Sequence, residues 1–256
     1  MYKLGLKLWS TNKNYIKPAL ELYEKKIYDY IELFVVPNSY DEYINIWKSL
    51  DIPFIIHASH SAVGLNLANK EMLNQNLRLV SQAQMYADTL DSEFIIFHPG
   101  IDGDIGQTVF QLNKINDLRV LIENKPYYTI DKKLICNGYS PQDIDFILEN
   151  TGVGFCFDVG HAIYSANAQG IDWYGYLLKF NELDPKVYHL ADGDINGVID
   201  QHEHLGFGSF DLKKIINLFS NNLHITVETK KNYNDSLSDF ELDVLFLKEK
   251  GLNERK

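Results

Sequence analysis

Cysteine is nearly absent from this sequence: Cys136 and Cys156 are the only two among 256 residues. Two thiols cannot build a disulfide framework, so a reducing, cytoplasmic setting is the expectation and a hydrophobic core must supply the stability. Long apolar runs are missing as well. None approaches the ~20 residues that a membrane helix needs, so no membrane partner is expected. The first residues, Met1 to Trp9, carry neither the apolar h-region nor the cleavage site of a signal peptide. Positive charge is scarce, with 24 Lys+Arg against 35 Asp+Glu and a formal net charge of −11. That balance disfavours a broad basic footprint for nucleic acid. It leaves room for local phosphate capture, because a metal cluster binds anions on an otherwise acidic protein. No linker or low-complexity block interrupts the chain, and residues 1–256 read as one domain.

What the sequence does contain is a regular alternation of strand and helix patterns. The strands are expected at Lys3 to Trp9, Tyr30 to Val36, Pro53 to Ala58, Glu93 to His98, Leu118 to Glu123, Gly154 to Asp158, Lys186 to Leu190 and His224 to Glu228. Between them lie helical periodicities at Tyr15 to Lys26, Tyr40 to Leu50, Lys70 to Leu90, Asp104 to Ile115, Ser140 to Asn150, Asp211 to Ser220 and Ser236 to Lys250. The longest helix carries Met72, Leu73, Leu77, Val80, Ala83 and Ala87 as its inner stripe. Ser140-Pro141 has the form of an N-cap followed by Pro at the first helical position. Ala162 to Phe180 reads as a loop and a helix, and Lys125 to Tyr139 as the longest irregular connection. Eight strand–helix units in ~250 residues is the count of a (β/α)8 barrel. An open doubly wound sheet is the competing α/β architecture, and the lack of a Gly-rich loop after any early strand counts against it.

The strand ends carry the chemistry. Ile56-His57, Phe97-His98, Ile122-Glu123, Phe157-Asp158, Tyr188-His189 and Val227-Glu228 each close an apolar run with a metal-type ligand. His161 follows Asp158 by three residues, and Asp200 and His202 stand in the seventh connection. In a (β/α)8 barrel these ends and loops share one rim, where active sites sit. A single Asp-x-x-His at a strand end is more often a turn cap or a hydrogen-bonded rim pair than a ligand set. Recurrence on six strands is what argues for a metal centre. Imidazole and carboxylate donors suit zinc, manganese or iron. No cysteine is well placed among them for a thiolate zinc site. Nine ligands suit a cluster of two or three ions, which favours phosphoryl displacement. One ion held mainly by carboxylates would instead suit aldose–ketose proton transfer.

These blocks resemble the endonuclease IV and xylose isomerase-like barrel superfamily over nearly the whole chain. The resemblance rests on His57-Ala58, His98-Pro99-Gly100, Glu123-Asn124, Asp158 with His161, His189-Leu190-Ala191-Asp192, Asp200-Gln201-His202 with Gly206-Phe207-Gly208, and Glu228-Thr229. It implies up to three divalent ions, zinc first, with manganese or magnesium as alternatives. His57, His98 and Glu123 would hold one. Glu123, Asp158, His189 and Glu228 would hold a second, and His161, Asp200 and His202 a third. In the isomerase and epimerase branch only the second set is used, with Glu123 and Glu228 also serving as the acid–base pair. Barrels of that branch often pair as homodimers.

The sequence departs from the DNA-cleaving members. The loop from His57 to Asn66 lacks their Tyr, Gly193-Asp194 stands where a Ser-Lys pair is usual, and Val159-Gly160 replaces Thr-Cys. No set of apolar wedges for base flipping is evident. Three readings follow. The first is an isomerase or epimerase acting on a sugar or sugar phosphate. The second is a zinc-dependent phosphoester hydrolase, with DNA a disfavoured partner beside smaller phosphoesters. The third is a metal-binding protein without turnover. Among the remaining polar residues, Lys125 is either a contact to a substrate oxygen or a solvated rim residue. His60 and His204 are either donors to the site, substrate contacts or surface groups. Trp173, Tyr174 and Tyr176 either stack on a sugar or base or, as expected here, give the sixth helix its core packing. Asp192 and Asp194 are expected to orient His189 or a bound water.

Overall fold

The computed structural model describes residues 2–219 and 223–250. Met1, the expected helix end at Ser220, and the last six residues of the expected 1–256 domain lie outside the described residues. Eight parallel strands close into a barrel in sequence order. They are β1 (Lys3–Trp9), β2 (Tyr30–Phe34), β3 (Phe54–His57), β4 (Ile95–Phe97), β5 (Val120–Glu123), β6 (Gly154–Asp158), β7 (Val187–Leu190) and β8 (His224–Val227). β1 closes the ring by pairing with β8, Leu6 opposite Val227. The helices outside are α1 (Ile16–Glu24), α2 (Tyr40–Lys48), α3 (Leu73–Thr89), α4 (Ile105–Leu112), α5 (Pro141–Thr151), α6 (Val159–Ala168), α7 (Trp173–Asn181), α8 (Leu212–Ile216) and α9 (Ser238–Glu249). Among the described residues, no helix is long and apolar enough to cross a membrane.

The two faces of each strand do different work. In β1 the residues Leu4, Leu6 and Leu8 are buried in the main core, which forms where strand backs meet the helices. Each such side chain contributes roughly 1.5–3 kcal/mol by leaving water. The opposite face lines the barrel lumen. There Tyr30, Ile55, Ile96, Leu121, Cys156 and Val187 form a separate apolar cluster. Gly5 and Thr226 complete this layer: a Cβ at Gly5 would run into the Tyr30 ring, and Thr226 Oγ1 lies 2.8 Å from the Tyr30 hydroxyl. Side chains alternate along a strand, so two residues further along each strand the same face presents Lys7, Glu32, His57, His98, Glu123, Asp158, His189 and Glu228. An apolar floor thus carries an ionisable layer with one member from every strand.

Several expected elements shift, each for a local reason. The sixth connection is two helices rather than a loop and a helix. Asp158 Oδ1 accepts the backbone N–H of His161 at 2.7 Å, so α6 starts directly at the strand end. In α3 the face turned inward is Asn76, Leu79, Val80, Ala83, Tyr86 and Ala87. Leu77 is 37% exposed, because Asn76 takes the inner position by donating to Asn66 O and Gln111 Oε1. Residues 70–72 form a 3-10 turn before α3. Ser140 caps α5 with Pro141 first, as its sequence dictates. The connection after β5 is not irregular throughout. Its residues fold into a short antiparallel hairpin, with Tyr128 opposite Ile135 and Cys136 bridged to Ile101. Tyr176 is buried in the main core, and Lys214 sits 3.6 Å above the Tyr174 ring.

Candidate metal centre

Four histidine rings are each fixed through one nitrogen and turn the other toward carboxylates, and His161 Nδ1 also lies 3.1 Å from Glu123 Oε1. His57 Nδ1 is 2.8 Å from Ala58 O, His161 Nδ1 is 2.9 Å from Asn124 O, and His202 Nδ1 is 2.8 Å from Glu228 O. Each carbonyl accepts, so each Nδ1 carries a proton, and each Nε2 is turned to a carboxylate and would become a metal ligand on giving up its own proton. His189 is fixed the opposite way, with Nε2 2.9 Å from Glu32 Oε2. That carboxylate–imidazole contact is the arrangement that orients metal-ligating histidines.

The free nitrogens collect in three places. His57 Nε2 and His98 Nε2 both lie 3.0 Å from Glu123 Oε2. His161 Nε2 and His202 Nε2 lie 3.2 and 2.7 Å from Asp200 Oδ2. His189 Nδ1 faces Glu228 Oε1 at 3.1 Å, Glu123 Oε2 at 3.5 Å and Asp158 Oδ2 at 4.0 Å. It makes no aligned hydrogen bond although it is fully buried. A buried nitrogen without an aligned hydrogen bond, facing three carboxylates, is a position that a divalent ion would fit. Ligand atoms within 4.8 Å of one another include the sets His57–His98–Glu123, His161–Asp200–His202 and Glu123–Asp158–His161. The residues present therefore fit divalent metal, and all nine residues singled out in the sequence come together.

The charge balance of the layer sets its protonation. Burial pushes the Glu123 carboxyl up, but His98, Lys125 and His189 beside it outweigh burial and hold it well below its ordinary value. Burial disfavours charge on His161, yet Asp158 and Asp200 raise its pKa to about 10. His202 is likewise raised to about 9, with Asp200 overcoming burial. His98 moves the other way, pushed well below its ordinary value by burial and by the Lys125 charge. His60, stacked on the His98 ring at 5.4 Å, is lowered to about 3 for the same two reasons.

Above the layer opens a cavity of about 940 Å³. Its floor includes His57, His98, Glu123, His161, Asp200 and Glu228. Trp9 and Phe34 line one side, and Tyr128, Ile130 and Leu134 of the hairpin line another.

Three expectations need correction. Cys156 does lie among the ligands, with Sγ 3.4 Å from His189 Nε2; burial raises its thiol to about 12, so it stays protonated and behaves as part of the apolar floor. Asp192 does not orient His189. Its Oδ1 accepts from Gly193 N and Phe210 N and its Oδ2 from Gly206 N, which ties the seventh connection together. Asp194 accepts from Asn196 N within that same loop. His204 is likewise a tether, with Nδ1 2.9 Å from Asp243 Oδ2 of α9.

Comparison with known proteins fits this architecture. The pattern of the xylose isomerase-like TIM barrel family matches residues 21–250. The chain belongs to that family. Its solved relatives include a D-tagatose 3-epimerase-like protein, 19% identical, covering 99% of each chain at a TM-score of 0.74. The endonuclease IV of Thermus thermophilus is 20% identical over 96% of this chain and 99% of its own, at a TM-score of 0.68. A probable endonuclease 4 of Thermoplasma volcanium is 25% identical over 60% of this chain. The chain spans 65% and 58% of the lengths of the curated relatives it matches. The same barrel thus occurs in proteins named as epimerase-like and as endonuclease IV.

Two members of the ionisable layer, Lys7 and Glu32, were not singled out in the sequence. Lys7 Nζ lies 2.5 Å from both Glu32 Oε1 and Glu228 Oε1. Glu32 Oε2 also accepts from Thr226 Oγ1 at 2.5 Å. The signal was present in the alternation: Lys7 follows Gly5 and Glu32 follows Tyr30 on the lumen face, and the two are register partners.

Proposed function

We propose that this protein is a divalent-metal-dependent enzyme that isomerises or epimerises a small sugar or sugar phosphate. The observation that carries the reading is the buried Nδ1 of His189, faced by Glu123, Asp158 and Glu228 beneath a walled cavity. Those four side chains would hold the ion, which would polarise a carbonyl or hydroxyl pair of the substrate. Glu123 and Glu228 both stay ionised, because the positive groups around them outweigh burial. Both carboxylates are thus unprotonated, as a group that takes a proton from carbon must be, and substrate binding would have to raise their basicity for the pair to act as base and acid. Lys7 holds Oε1 of Glu228 and leaves Oε2 toward the cavity side, 3.8 Å from His202 Nδ1. The aromatic and hairpin walls suit a small ligand whose carbons must be shielded from water.

A second reading is favoured by a specific observation. The sets His57–His98–Glu123 and His161–Asp200–His202 are additional to what one-ion proton transfer needs. Filled, they would suit hydrolysis of a small phosphoester. The net charge of −11 and the walled cavity argue against duplex DNA as its substrate.

The test is elemental analysis of protein purified without chelator, followed by two assays on the same sample. Incorporation of solvent deuterium into aldoses, ketoses and their phosphates, followed by NMR, supports the isomerase reading. Phosphate release from a phosphoester panel without deuterium exchange replaces it with the hydrolase reading. A chain that neither retains nor regains metal overturns both.

A further inference from the structure

We propose that Lys125 is the anion-binding residue of the cavity, and that the substrate carries a phosphate or carboxylate group close to the reacting carbons. The proposal rests on the small-molecule reading of the cavity above.

Lys125 follows Glu123-Asn124 at the end of β5, and its backbone N–H is fixed on Gly138 O at 3.0 Å. Its side chain is only 14% exposed, so it is not a solvated rim residue. Three other lysines line the same cavity, and each is engaged at short range. Lys7 lies 2.5 Å from Glu32 and Glu228, Lys230 lies 2.5 Å from Glu203, and Lys231 donates to Thr229 O at 2.6 Å. Lys125 differs. Its Nζ lies 3.7 Å from Glu123 Oε1 and 3.4 Å from His161 Nε2. The first distance is beyond a hydrogen bond, and the second is long for one. Moreover, His161 Nε2 is already turned to Asp200 Oδ2 at 3.2 Å, so it is not free to accept from the ammonium.

The ammonium is mostly buried and pairs with Glu123 only at 3.7 Å, so its N–H groups lack a carboxylate acceptor at hydrogen-bond distance, and an added anion would supply one. Four methylenes allow Nζ to turn from the floor into the cavity. An oxyanion placed there would meet Lys125 beside Glu123. Phosphate and carboxylate both supply such an oxygen, in a charge-assisted hydrogen bond. A rival role is open to the same atom: the ammonium could stand in for an ion between Glu123 and His161.

The experiment compares wild type, Lys125→Ala and Lys125→Arg by calorimetric titration with inorganic phosphate and with acetate. Metal content and melting temperature are measured on the same samples, and the titrations are repeated after chelation. The expected result is a loss on the order of tenfold or more in affinity for one anion in Lys125→Ala, with most of it retained in Lys125→Arg and metal content unchanged. Which anion is lost identifies phosphate or carboxylate. Wild-type affinity for both anions in Lys125→Ala overturns the proposal, as does a wild type that binds neither. A rise in bound metal in Lys125→Ala with anion binding unaltered also overturns it and assigns the ion-replacing role. Failure of the metal reading shows separately, as wild-type protein without metal, and the chelated titrations still judge Lys125.

Discussion

Glu32→Gln is the substitution that most directly tests how the ionisable layer is built. Glu32 is fully buried and bonds three partners: Lys7 Nζ at 2.5 Å, His189 Nε2 at 2.9 Å and Thr226 Oγ1 at 2.5 Å. Its own carboxyl is held at about 2, since His189 and Lys7 outweigh the burial that would raise it. The amide keeps the shape and removes the charge. Lys7 then depends on Glu228 alone, and breaking a buried pair in this way costs about 3–5 kcal/mol. In a chain of this size that is a drop of about 6–20 °C in melting temperature. His189 also loses the carboxylate that fixes its ring, and loss of such a partner typically weakens metal binding about 10–100-fold. Thermal unfolding and chelator competition read the two effects separately. The double variant Lys7→Met, Glu32→Gln also takes the Lys7 cation from Glu228, so it should recover neither stability nor metal affinity. A single variant with wild-type melting and wild-type metal affinity would refute the claim that Glu32 positions His189.

Other perturbations follow from the same geometry. Asp200→Asn should remove one ion per chain while leaving the His57–His98–Glu123 set filled, as read by elemental analysis. Gly5→Ala forces a methyl into the Tyr30 ring at the lumen floor, with an expected loss of about 1–3 kcal/mol in denaturant unfolding. The raised His161 and His202 predict a pH dependence for the metal-free protein. Both folded values, about 10 and about 9, lie above the unfolded value near ~6.5. Their contribution to stability is therefore complete below ~6.5 and is lost as pH rises through about 9 and then about 10. Metal-loaded protein should behave in the opposite sense, because filling the set displaces those protons. Calorimetry of zinc loading at neutral pH in buffers of different ionisation enthalpy should register proton release, and a buffer-independent enthalpy would contradict it.

The fold was legible because the barrel repeats one unit eight times, and the ionisable cluster was legible because six of the strands close with a His, Asp or Glu. The lumen face was harder to read. Lys3-Leu4-Gly5-Leu6-Lys7-Leu8-Trp9 looks like a half-exposed strand with its leucines inward. In a barrel the leucines point outward, beneath the helices, and the other face is the interior. Lys7 therefore reads as a solvent residue by local pattern and is held between two carboxylates in fact. Asp158 shows a different limit. A local reading offers helix cap or metal ligand as alternatives. In the structure Oδ1 takes the His161 N–H as a cap, while Oδ2 is left facing His189 Nδ1 at 4.0 Å, so the cap does not use up the carboxylate. The bonds that occupy Asp192 and His204 depend on loop closure and on α9, which neighbouring residues in sequence do not specify.

The anchoring of the histidines explains how such a centre can persist without metal. Three rings are fixed by backbone carbonyls at or beside strand ends, Ala58, Asn124 and Glu228, and the fourth by Glu32 on the lumen wall. These anchors belong to the barrel itself, so the ligand directions are set when the strands close. The charge problem is then solved locally. Lys7 is a permanent cation for Glu32 and Glu228, and the raised His161 and His202 supply exchangeable protons around Asp200. Protons and divalent ions compete for the same nitrogens, whereas Lys7 is not displaced by either. The layer thus divides into a fixed part around Lys7, Glu32 and Glu228 and a proton-exchanging part around Asp200, and the second part opens to the cavity.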